Sequence, residues 1–198
     1  MKKVTTLLIA IVCATVMMAQ GTGNSLTKRH EINAGVGLLS HTQVATFLVD
    51  MVGTVLTLGY GMAPDNYHIL TPNLSYRYWF ANWYALGLGF AYDVNSVKVK
   101  KLDTGEYMKR YTRSYSTFIL ENTFGYVRKP KFQLYGQFGL GSTFMSISGS
   151  NDYGIERVPF FNLQVTPLAM RFGGDYAGFV EFGYGYKGII NVGFSARL

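Results

Sequence analysis

One stretch of the chain has the spacing of a nucleotide-binding loop. Gly183, Gly185 and Gly188 satisfy the pattern G-x-G-x-x-G. In a dinucleotide site this pattern follows a strand and opens a helix, whose N-terminus meets the pyrophosphate. Here the glycines continue one face of an alternating, strand-like segment, and a second strand-like segment follows. The sequence therefore predicts no nucleotide site here, and we expect no cofactor and no metal.

Two histidines lie close to possible partners for nucleophilic catalysis. Ser40 precedes His41, and His68 follows Asp65 after two intervening residues. The spacing matches no hydrolase motif such as G-x-S-x-G, and a triad is defined by geometry. Ser40 and Gln43 instead have the spacing of a helix capping box. We predict no catalytic residue. Of the three functions that we consider, a lipid-modifying enzyme is the least favoured.

Charged residues recur on the polar faces of alternating segments, which a closed barrel would turn inward. Because buried charges need partners, we predict that they form a charge network in the lumen, with Arg197 paired to Glu181 or Glu31. Intramembrane charges also mark transport pathways, so a narrow passive channel is the alternative function. The predicted network consists of Glu31, Arg77, Asp93, Glu121, Arg171, Glu181, Lys187 and Arg197.

A basic cluster lies between two of the alternating segments. Solvation alone accounts for a charged loop of this kind. The functional interpretation is contact with the phosphates of lipopolysaccharide, because basic segments are attracted to anionic membrane surfaces. Both interpretations remain open for Lys98, Lys100, Lys101, Lys109, Arg110 and Arg113, which outnumber Asp103 and Glu106.

The first twenty residues have the composition of a secretory signal peptide. Lys2 and Lys3 precede an apolar run over 4–18, and small residues follow. We therefore divide the 198 residues into a signal peptide, 1–20, and one domain, 21–198. The single cysteine, Cys13, lies in the signal peptide, so the domain has neither disulfides nor thiolate metal sites. Without Lys2 and Lys3 the net charge falls from +7 to +5, which is no nucleic-acid signature.

The composition of the remaining chain favours a membrane protein. The chain has 15 Tyr, 14 Phe and 23 Gly, and its 15% of charged residues is well below the roughly 25% of soluble domains. No stretch after residue 20 has the roughly 18 consecutive apolar residues of a membrane helix. The common membrane architecture that remains is a closed β-barrel, which leaves no backbone group unpaired.

Eight segments alternate apolar and polar residues with a period of two, over about ten residues each, which is the length of a membrane-crossing strand. They are residues 31–38, 73–80, 84–93, 117–126, 132–144, 159–172, 176–187 and 190–198. Pro167 lies where the alternation of the sixth segment changes phase. We predict a β-bulge at Thr166–Pro167, which turns Arg171 inward. Long loops over 41–70, 94–112 and 145–157 alternate with short turns.

The first long loop contains an apolar pattern with helical spacing. The capping box at Ser40 is followed by apolar residues over 44–55, and we predict a short helix over 42–57. Short apolar runs are ambiguous between helix and strand. The alternative is an extra hairpin through Thr54–Leu58, which would give ten strands.

The two faces of the segments distinguish a membrane barrel from a soluble one. A soluble barrel would present Lys, Glu and Arg on its polar face, but here that face is mostly Gly, Ala, Ser, Asn, Gln and Thr. Such residues suit the narrow interior of eight strands. Aromatic residues on the apolar face gather near the segment ends, as in the two girdles of a membrane barrel. Tyr126 and Tyr186 are among those predicted to face lipid.

The chain resembles the small eight-stranded outer-membrane β-barrel proteins of Gram-negative bacteria, of the OmpX and OmpA-barrel kind. The most specific part of the resemblance is the C-terminal segment, where Asn191, Gly193, Ala196 and Leu198 follow the spacing of the barrel-assembly signal. Ala196 is small, and Leu198 replaces the usual Phe. The resemblance implies localisation to the cell outer membrane and recognition by the barrel-assembly machinery.

These observations together predict an all-β, transmembrane, up-and-down antiparallel barrel of eight strands with a short helix in the first long loop. We expect a monomer that is not an enzyme, with a largely plugged lumen and a structural or surface-interaction role. The expected partners are outer-membrane lipid and lipopolysaccharide, with no nucleic acid.

Overall fold

The structure is a computed structural model that describes residues 28–56, 60–67, 70–101, 107–149 and 157–198. The elements in these residues are β1 (His30–Leu38), α1 (His41–Leu56), β2 (Tyr60–Tyr67), β3 (Leu70–Trp79), β4 (Tyr84–Lys101), β5 (Tyr107–Lys129), β6 (Phe132–Gly149), β7 (Arg157–Gly173), β8 (Tyr176–Gly185) and β9 (Ile190–Arg197).

The strands form one closed antiparallel sheet. β2 and β3 follow each other along the same edge of β4, so together they occupy one position in the barrel wall. Each later strand pairs with the next, and β9 pairs with β1 from Glu31↔Arg197 to Leu38↔Ile190. The barrel therefore has eight wall positions, which confirms the predicted fold class. Closure pairs both edges of β1, β3, β8 and β9, whereas β2 pairs only with β4 among the described residues.

The first long loop contains the predicted helix. The prediction over 42–57 agrees with α1, and position 57 lies outside the described residues. The alternative hairpin through Thr54–Leu58 is wrong at 54–56, which are helical. β2 lengthens an existing wall position and adds no further one. No helix among the described residues is long and apolar enough to cross a membrane.

The outer face of the barrel is apolar and the lumen is polar. Phe161 and Leu88 on the outside are 65% and 63% exposed, whereas Glu31 and Arg77 inside are 0% and 1% exposed. Alternation along each strand produces this division, because successive side chains point to opposite faces of a sheet. It is the reverse of the arrangement in a soluble barrel.

Two ends of the barrel differ in their connections. Residues 80–83, 130–131 and 174–175 are short turns at the end where β1 begins and β9 stops, which we call the short-turn end. At the opposite, long-loop end, β4, β5, β6 and β7 have 17 to 23 residues, against 8 to 10 in β1, β3, β8 and β9. One side of the wall is therefore much taller than the other.

On the tall side, strands occupy parts of two segments that we predicted to be loops. The predicted loop over 94–112 is wrong, because β4 continues to Lys101 and β5 starts at Tyr107. In the predicted loop over 145–157, β6 continues to Gly149 and β7 starts at Arg157. In these strand extensions both faces carry polar residues. The alternation of apolar and polar residues is therefore lost, although the backbone ladder continues.

Three irregularities change which way side chains point. The ladder between β7 and β8 shifts between Val165 and Leu168, which confirms the predicted bulge at Thr166–Pro167 and its inward Arg171. A second bulge between Gly125 and Val127 shifts the register of β5 against β6, and Tyr126 at this bulge donates a hydrogen bond to the Pro167 carbonyl.

The third irregularity corrects the predicted position of Tyr186. Gly185 has φ +145°, and the chain leaves β8 there with both Tyr186 and Lys187 buried. The prediction that Tyr186 faces lipid is therefore wrong, because alternation holds only while the backbone stays extended.

Gly188 provides a test of the turn between β8 and β9. Its φ is +89°, and a Cβ atom built there would lie 2.1 Å from the Leu38 carbonyl oxygen. We expect Gly188→Ala to lower the free energy of unfolding in urea by about 1–3 kcal/mol. Gly174→Ala is the matched control, because a Cβ there meets nothing within 4 Å. Equal stability of the two variants would contradict this account of the turn.

Candidate functional site

Seven of the eight predicted lumenal charges lie in one connected cluster, which we call the lumenal network. They come from six different strands and from the turn after β8, so only barrel closure brings them together. The network consists of Glu31, Arg77, Glu121, Arg171, Glu181, Lys187 and Arg197.

Glu31 receives charged and neutral donors toward the short-turn end. Its Oε1 lies 3.3 Å from Arg77 Nη1, and its Oε2 lies 2.9 Å from Arg197 Nε and 3.9 Å from Arg171 Nε. Trp79 Nε1 also donates to Oε2, at 3.3 Å. Of the two partners expected for Arg197, the structure places Glu31 beside it, because β1 and β9 pair directly.

Glu181 lies deeper in the lumen. Its Oε1 is 2.8 Å from Arg77 Nη2, so the Arg77 guanidinium bridges Glu31 and Glu181. Tyr135 donates to the same oxygen at 2.9 Å, and Asn191 donates to Oε2 at 2.7 Å. Arg77 also lies 4.9 Å from the centroid of the Tyr135 ring.

Lys187 extends the network toward the long-loop end. Its Nζ lies 2.7 Å from Glu121 Oε1 and 3.4 Å from Glu181 Oε2, so it bridges these two carboxylates. Tyr186 donates its hydroxyl to Glu121 Oε1 at 2.8 Å. The inward turn of Tyr186 and Lys187 therefore supplies one donor and one cation to the network.

Asp93 lies apart from the lumenal network, near the long-loop end. Its carboxylate accepts hydrogen bonds from the hydroxyls of Ser40, Thr42 and Thr71 at 2.8, 2.7 and 2.6 Å. Gln43 Nε2 donates to it at 3.3 Å. No cation of the described residues lies within 4 Å of this carboxylate. Asp93 thus anchors the start of α1 in the barrel mouth. Its partners are hydroxyl groups, whereas we predicted that it would pair with charged residues of the network.

The start of α1 has the geometry of a capping box. The Ser40 backbone N–H donates to Gln43 Oε1 at 3.0 Å, and the Gln43 N–H points back to Ser40 Oγ at 3.4 Å. These two contacts satisfy backbone groups that the first helical turn leaves unpaired. Ser40, Thr42 and Gln43 are all buried, so the cap is also the attachment of α1 to the barrel.

Ser40, His41 and Asp93 do not form a catalytic triad. The Ser40 hydroxyl donates directly to Asp93, and no imidazole lies between them. His41 Nδ1 is buried without a hydrogen-bond partner among the described residues, and its ring contacts Phe160. Burial lowers the pKa of His41 below its ordinary value, while the nearby Asp93 carboxylate opposes this effect. His68 lies outside the described residues.

Several residues of the site carried no site prediction. Trp79 and Tyr135 fall on the polar faces of their strands, so alternation placed them inward without indicating their partners. Arg128 is different, because only the bulge between Gly125 and Val127 turns it toward the lumen. Its guanidinium carbon lies 4.0 Å from the centroid of the Trp79 ring.

The predicted basic cluster lies on the tall side of the wall. In the ladder between β4 and β5, Lys98 is opposite Arg110 and Val99 is opposite Lys109. The ladder thus brings two basic positions of the cluster directly opposite each other. The other members are Lys100 and Lys101 in β4, and Arg113 in β5.

The residues of the predicted assembly signal have separate environments. Asn191 bonds to Glu181 and Asn73 in the lumen, whereas Leu198 is exposed at the short-turn end. Gly193 lies against β1, where a Cβ atom would be 2.1 Å from the Ala34 carbonyl oxygen. Ala196 is partly buried. The close approach of β9 and β1 is thus a packing reason for Gly193.

No group of three or more His, Cys, Asp or Glu side chains could hold a metal ion in the part of the chain that the structure describes. Each of the three carboxylates of the lumenal network has at least one cation partner, although Glu121 Oε2 is buried without a hydrogen-bond partner among the described residues. What this arrangement does chemically is to pair buried charges and fill space.

The lumenal network gives a test of stability. Glu181→Gln keeps the shape of the side chain but leaves Arg77 and Lys187 with one carboxylate fewer. Because uncompensated buried charges are costly, we expect a loss of about 3–5 kcal/mol in the free energy of unfolding, measured in urea with lipid vesicles.

Asp175→Asn is the matched control for Glu181→Gln. Asp175 Oδ2 lies 2.8 Å from Lys28 Nζ in an exposed turn, and this hydrogen bond lowers the pKa of the Asp175 carboxyl. Exposed pairs contribute little to stability, so we expect almost no change. A similar loss in both variants would show that burial of Glu181 is not what makes it important.

The chain matches no family model and no curated protein sequence. Among solved structures it is similar to Ail, the attachment invasion locus protein of Yersinia pestis. The crystal structure of Ail in complex with the heparin analogue sucrose octasulfate has 16% sequence identity and a TM-score of 0.40, over 85% of this chain and 98% of Ail. A second crystal structure of Ail has 15% identity and a TM-score of 0.38 over the same shares.

Proposed function

We propose that the protein is an integral outer-membrane β-barrel protein with a structural or surface-interaction role. It is not a catalyst, and its lumen is plugged by its own side chains. The observation that carries this proposal is a closed barrel with an apolar outer face around a lumen occupied by ion-paired side chains. Such a barrel is suited to remaining in a membrane and presenting its outer loops.

The outer face supports a membrane location. Large apolar side chains are exposed on all eight wall positions, and water would disfavour so continuous an apolar surface. Aromatic residues lie toward both ends of this face, including Phe172 and Tyr176 at the short-turn end and Tyr92 and Tyr184 at the other. The predicted signal peptide and assembly signal fit export to the outer membrane, with the short-turn end in the periplasm.

The lumen supports a structural role over the alternative of a narrow channel. Eight strands enclose a space just wide enough for side chains to fill. Arg77 crosses this space to bridge two carboxylates, and Trp79, Tyr135 and Tyr186 occupy it with rings. An ion passing through would have to separate buried charge pairs, which is costly.

The tall side of the wall supports surface interaction. β4, β5, β6 and β7 extend well past the lower strands, and the extension is on the side we assign to the exterior. α1 adds an apolar face there, on which Phe47, Leu48, Met51 and Val52 are about half exposed. A barrel that served only to span the membrane would need neither feature.

Lipopolysaccharide is the proposed partner of the basic cluster. The opposition of Lys98 and Arg110 in the β4–β5 ladder concentrates positive charge on the outer part of the tall side. The outer leaflet carries phosphate groups on lipopolysaccharide, and a phosphate between these positions would relieve their repulsion. This proposal needs no pocket and no catalytic group.

The non-catalytic assignment is tested on lipid A. The direct bond from Ser40 to Asp93 leaves no imidazole to activate a hydroxyl in the group that the sequence had made a candidate. Mass spectra of lipid A from cells with and without the protein should be identical. A change in acylation would revive the enzyme alternative.

Conductance in planar lipid bilayers separates the plugged barrel from the channel. We expect no steady openings on the nanosiemens scale from the wild-type protein, because the lumenal network blocks the path. A double variant, Tyr135→Ala with Tyr186→Ala, removes two rings from the lumen and should pass measurable current. Its folding is verified by a mobility shift on gels run with and without boiling. Steady large openings of the wild type would contradict the plugged lumen.

Binding to lipopolysaccharide tests the role of the basic cluster. Lys98→Gln with Arg110→Gln should weaken binding about tenfold or more, since each basic residue near an anionic surface contributes about 1 kcal/mol. Lys129→Gln with Lys131→Gln removes the same charge at the opposite end of the barrel and should leave binding unchanged. Equal losses in the two double variants would mean that only net charge matters.

A further inference from the structure

Arg128 has a guanidinium group whose two terminal nitrogens lack a hydrogen-bond acceptor among the described residues. The guanidinium carbon lies 4.0 Å from the centroid of the Trp79 ring at the short-turn end of the lumen. Both Nη1 and Nη2 are buried, and neither has a hydrogen-bond partner in the part of the chain that the structure describes. A buried charged donor without an acceptor is unfavourable, so this position indicates a missing acceptor.

The side-chain amide of Gln133, on the paired strand, provides a third unpaired donor group after Nη1 and Nη2 of Arg128. Gln133 is opposite Arg128 in the β5–β6 ladder and is 1% exposed. Its Oε1 accepts a hydrogen bond from Arg197 Nη2, which fixes the amide with its nitrogen pointing elsewhere. That nitrogen, Nε2, has no partner among the described residues. The unpaired side-chain groups of Arg128 and Gln133 are therefore all N–H donors.

The cations near this corner outnumber the carboxylates. Arg171 and Arg197 repel the Arg128 guanidinium, and Glu31 is the one carboxylate that attracts it among its principal electrostatic neighbours. Glu31 already accepts from Arg77, Arg197 and Trp79. No hydrogen bond joins Arg128 to Glu31, and Arg128, Arg171 and Arg197 together outnumber this carboxylate at the short-turn end.

The N-terminal part of the chain has no side-chain carboxylate that could neutralise Arg128. Residues 1–27 contain no Asp or Glu. Asp175, in the nearby turn, directs its carboxylate to Lys28, and its backbone carbonyl accepts from Arg171. Neither Asp175 nor the N-terminal part of the chain therefore provides a free side-chain carboxylate for Arg128.

We propose that the short-turn end of the lumen binds an oxyanion, a phosphate or carboxylate group, between Arg128 and Gln133. The planar guanidinium provides two parallel N–H donors that match the spacing of two oxygens of such a group, and the Gln133 amide donates to it from the facing strand. Nothing in the predicted lumenal network assigns these two residues a role.

The surroundings give an anion a route to the site. Arg128 as a residue is only partly buried and precedes the β5–β6 turn by two positions. Lys129 and Lys131 are exposed at this turn and raise the local concentration of anions. Because the Arg128 guanidinium lies over the Trp79 ring, an anion bound to it changes the surroundings of that ring, so Trp79 reports on binding.

Tryptophan fluorescence of the refolded domain, residues 21–198, tests the site. The background variant Trp83→Phe leaves Trp79 as the single tryptophan. Inorganic phosphate is titrated in zwitterionic detergent, with chloride replaced so that ionic strength stays constant. We expect a saturable change in emission with phosphate and none with chloride alone. A response that does not saturate, or no response, would overturn the proposal.

Three substitutions identify the binding groups. Arg128→Gln should abolish the phosphate response, whereas Lys129→Gln, the neighbouring exposed cation, should retain it. Gln133→Glu supplies a carboxylate beside Arg128 and should also abolish the response while raising the temperature of unfolding. Boiling-dependent gel mobility shows that each variant has folded. A full response in both Arg128→Gln and Gln133→Glu would place the anion elsewhere.

The source of the oxyanion is distinguished with lipid vesicles. The domain is compared in vesicles of phosphatidylcholine and in vesicles containing phosphatidylglycerol, both without free phosphate. A change in Trp79 emission only with phosphatidylglycerol, lost in Arg128→Gln, identifies a lipid headgroup as the ligand. Identical emission in both vesicles, together with saturable binding of free phosphate, identifies a soluble anion.

Discussion

The closed ladder between β9 and β1 is the constraint on which the rest of the structure depends. Once eight strands are closed, every inward side chain shares one narrow lumen, and no charge there can reach water freely. Glu31 on β1 and Arg77 on β3 are already ladder partners, but Glu181 on β8 reaches Arg77 only through closure. Because each buried charge needs a partner, the ion pairs and the closed sheet stabilise each other.

Side chains at different heights of the closed barrel have different surroundings. Within the apolar band, outer side chains meet lipid and inner charged side chains need partners in the lumen. Beyond it, on the tall side, both faces of β4 and β5 can carry polar groups because water satisfies them. Asp93 lies near this transition, where it uses hydroxyls of Ser40, Thr42 and Thr71 to hold α1 in place. The helix is thus anchored to the barrel mouth at its first turn.

Irregularities in the strands decide the electrostatics. The bulge at Pro167 brings Arg171 into the lumen, the bulge at Gly125–Val127 brings in Arg128, and the turn after Gly185 brings in Tyr186 beside Lys187. The two bulges each add a cation to a lumen in which the carboxylates lie on regular strands. The uneven result is an ion-paired centre and a donor-rich short-turn end, a difference that an ideal barrel with perfect alternation would not have.

The sequence by itself determined the barrel, because alternation of period two needs no tertiary information. It also indicated the inward position of Glu31, Arg77, Glu121 and Glu181, the helix after the Ser40 cap, and the bulge at Pro167, where a missing N–H must be accommodated. Only the tertiary structure decided which charges meet, since Arg77 and Glu181 lie 104 residues apart. It also decided that Asp93 stands apart and that Tyr186 and Arg128 point inward. These last positions depend on single-residue shifts of register, which reverse a side chain's direction without leaving a pattern in the sequence.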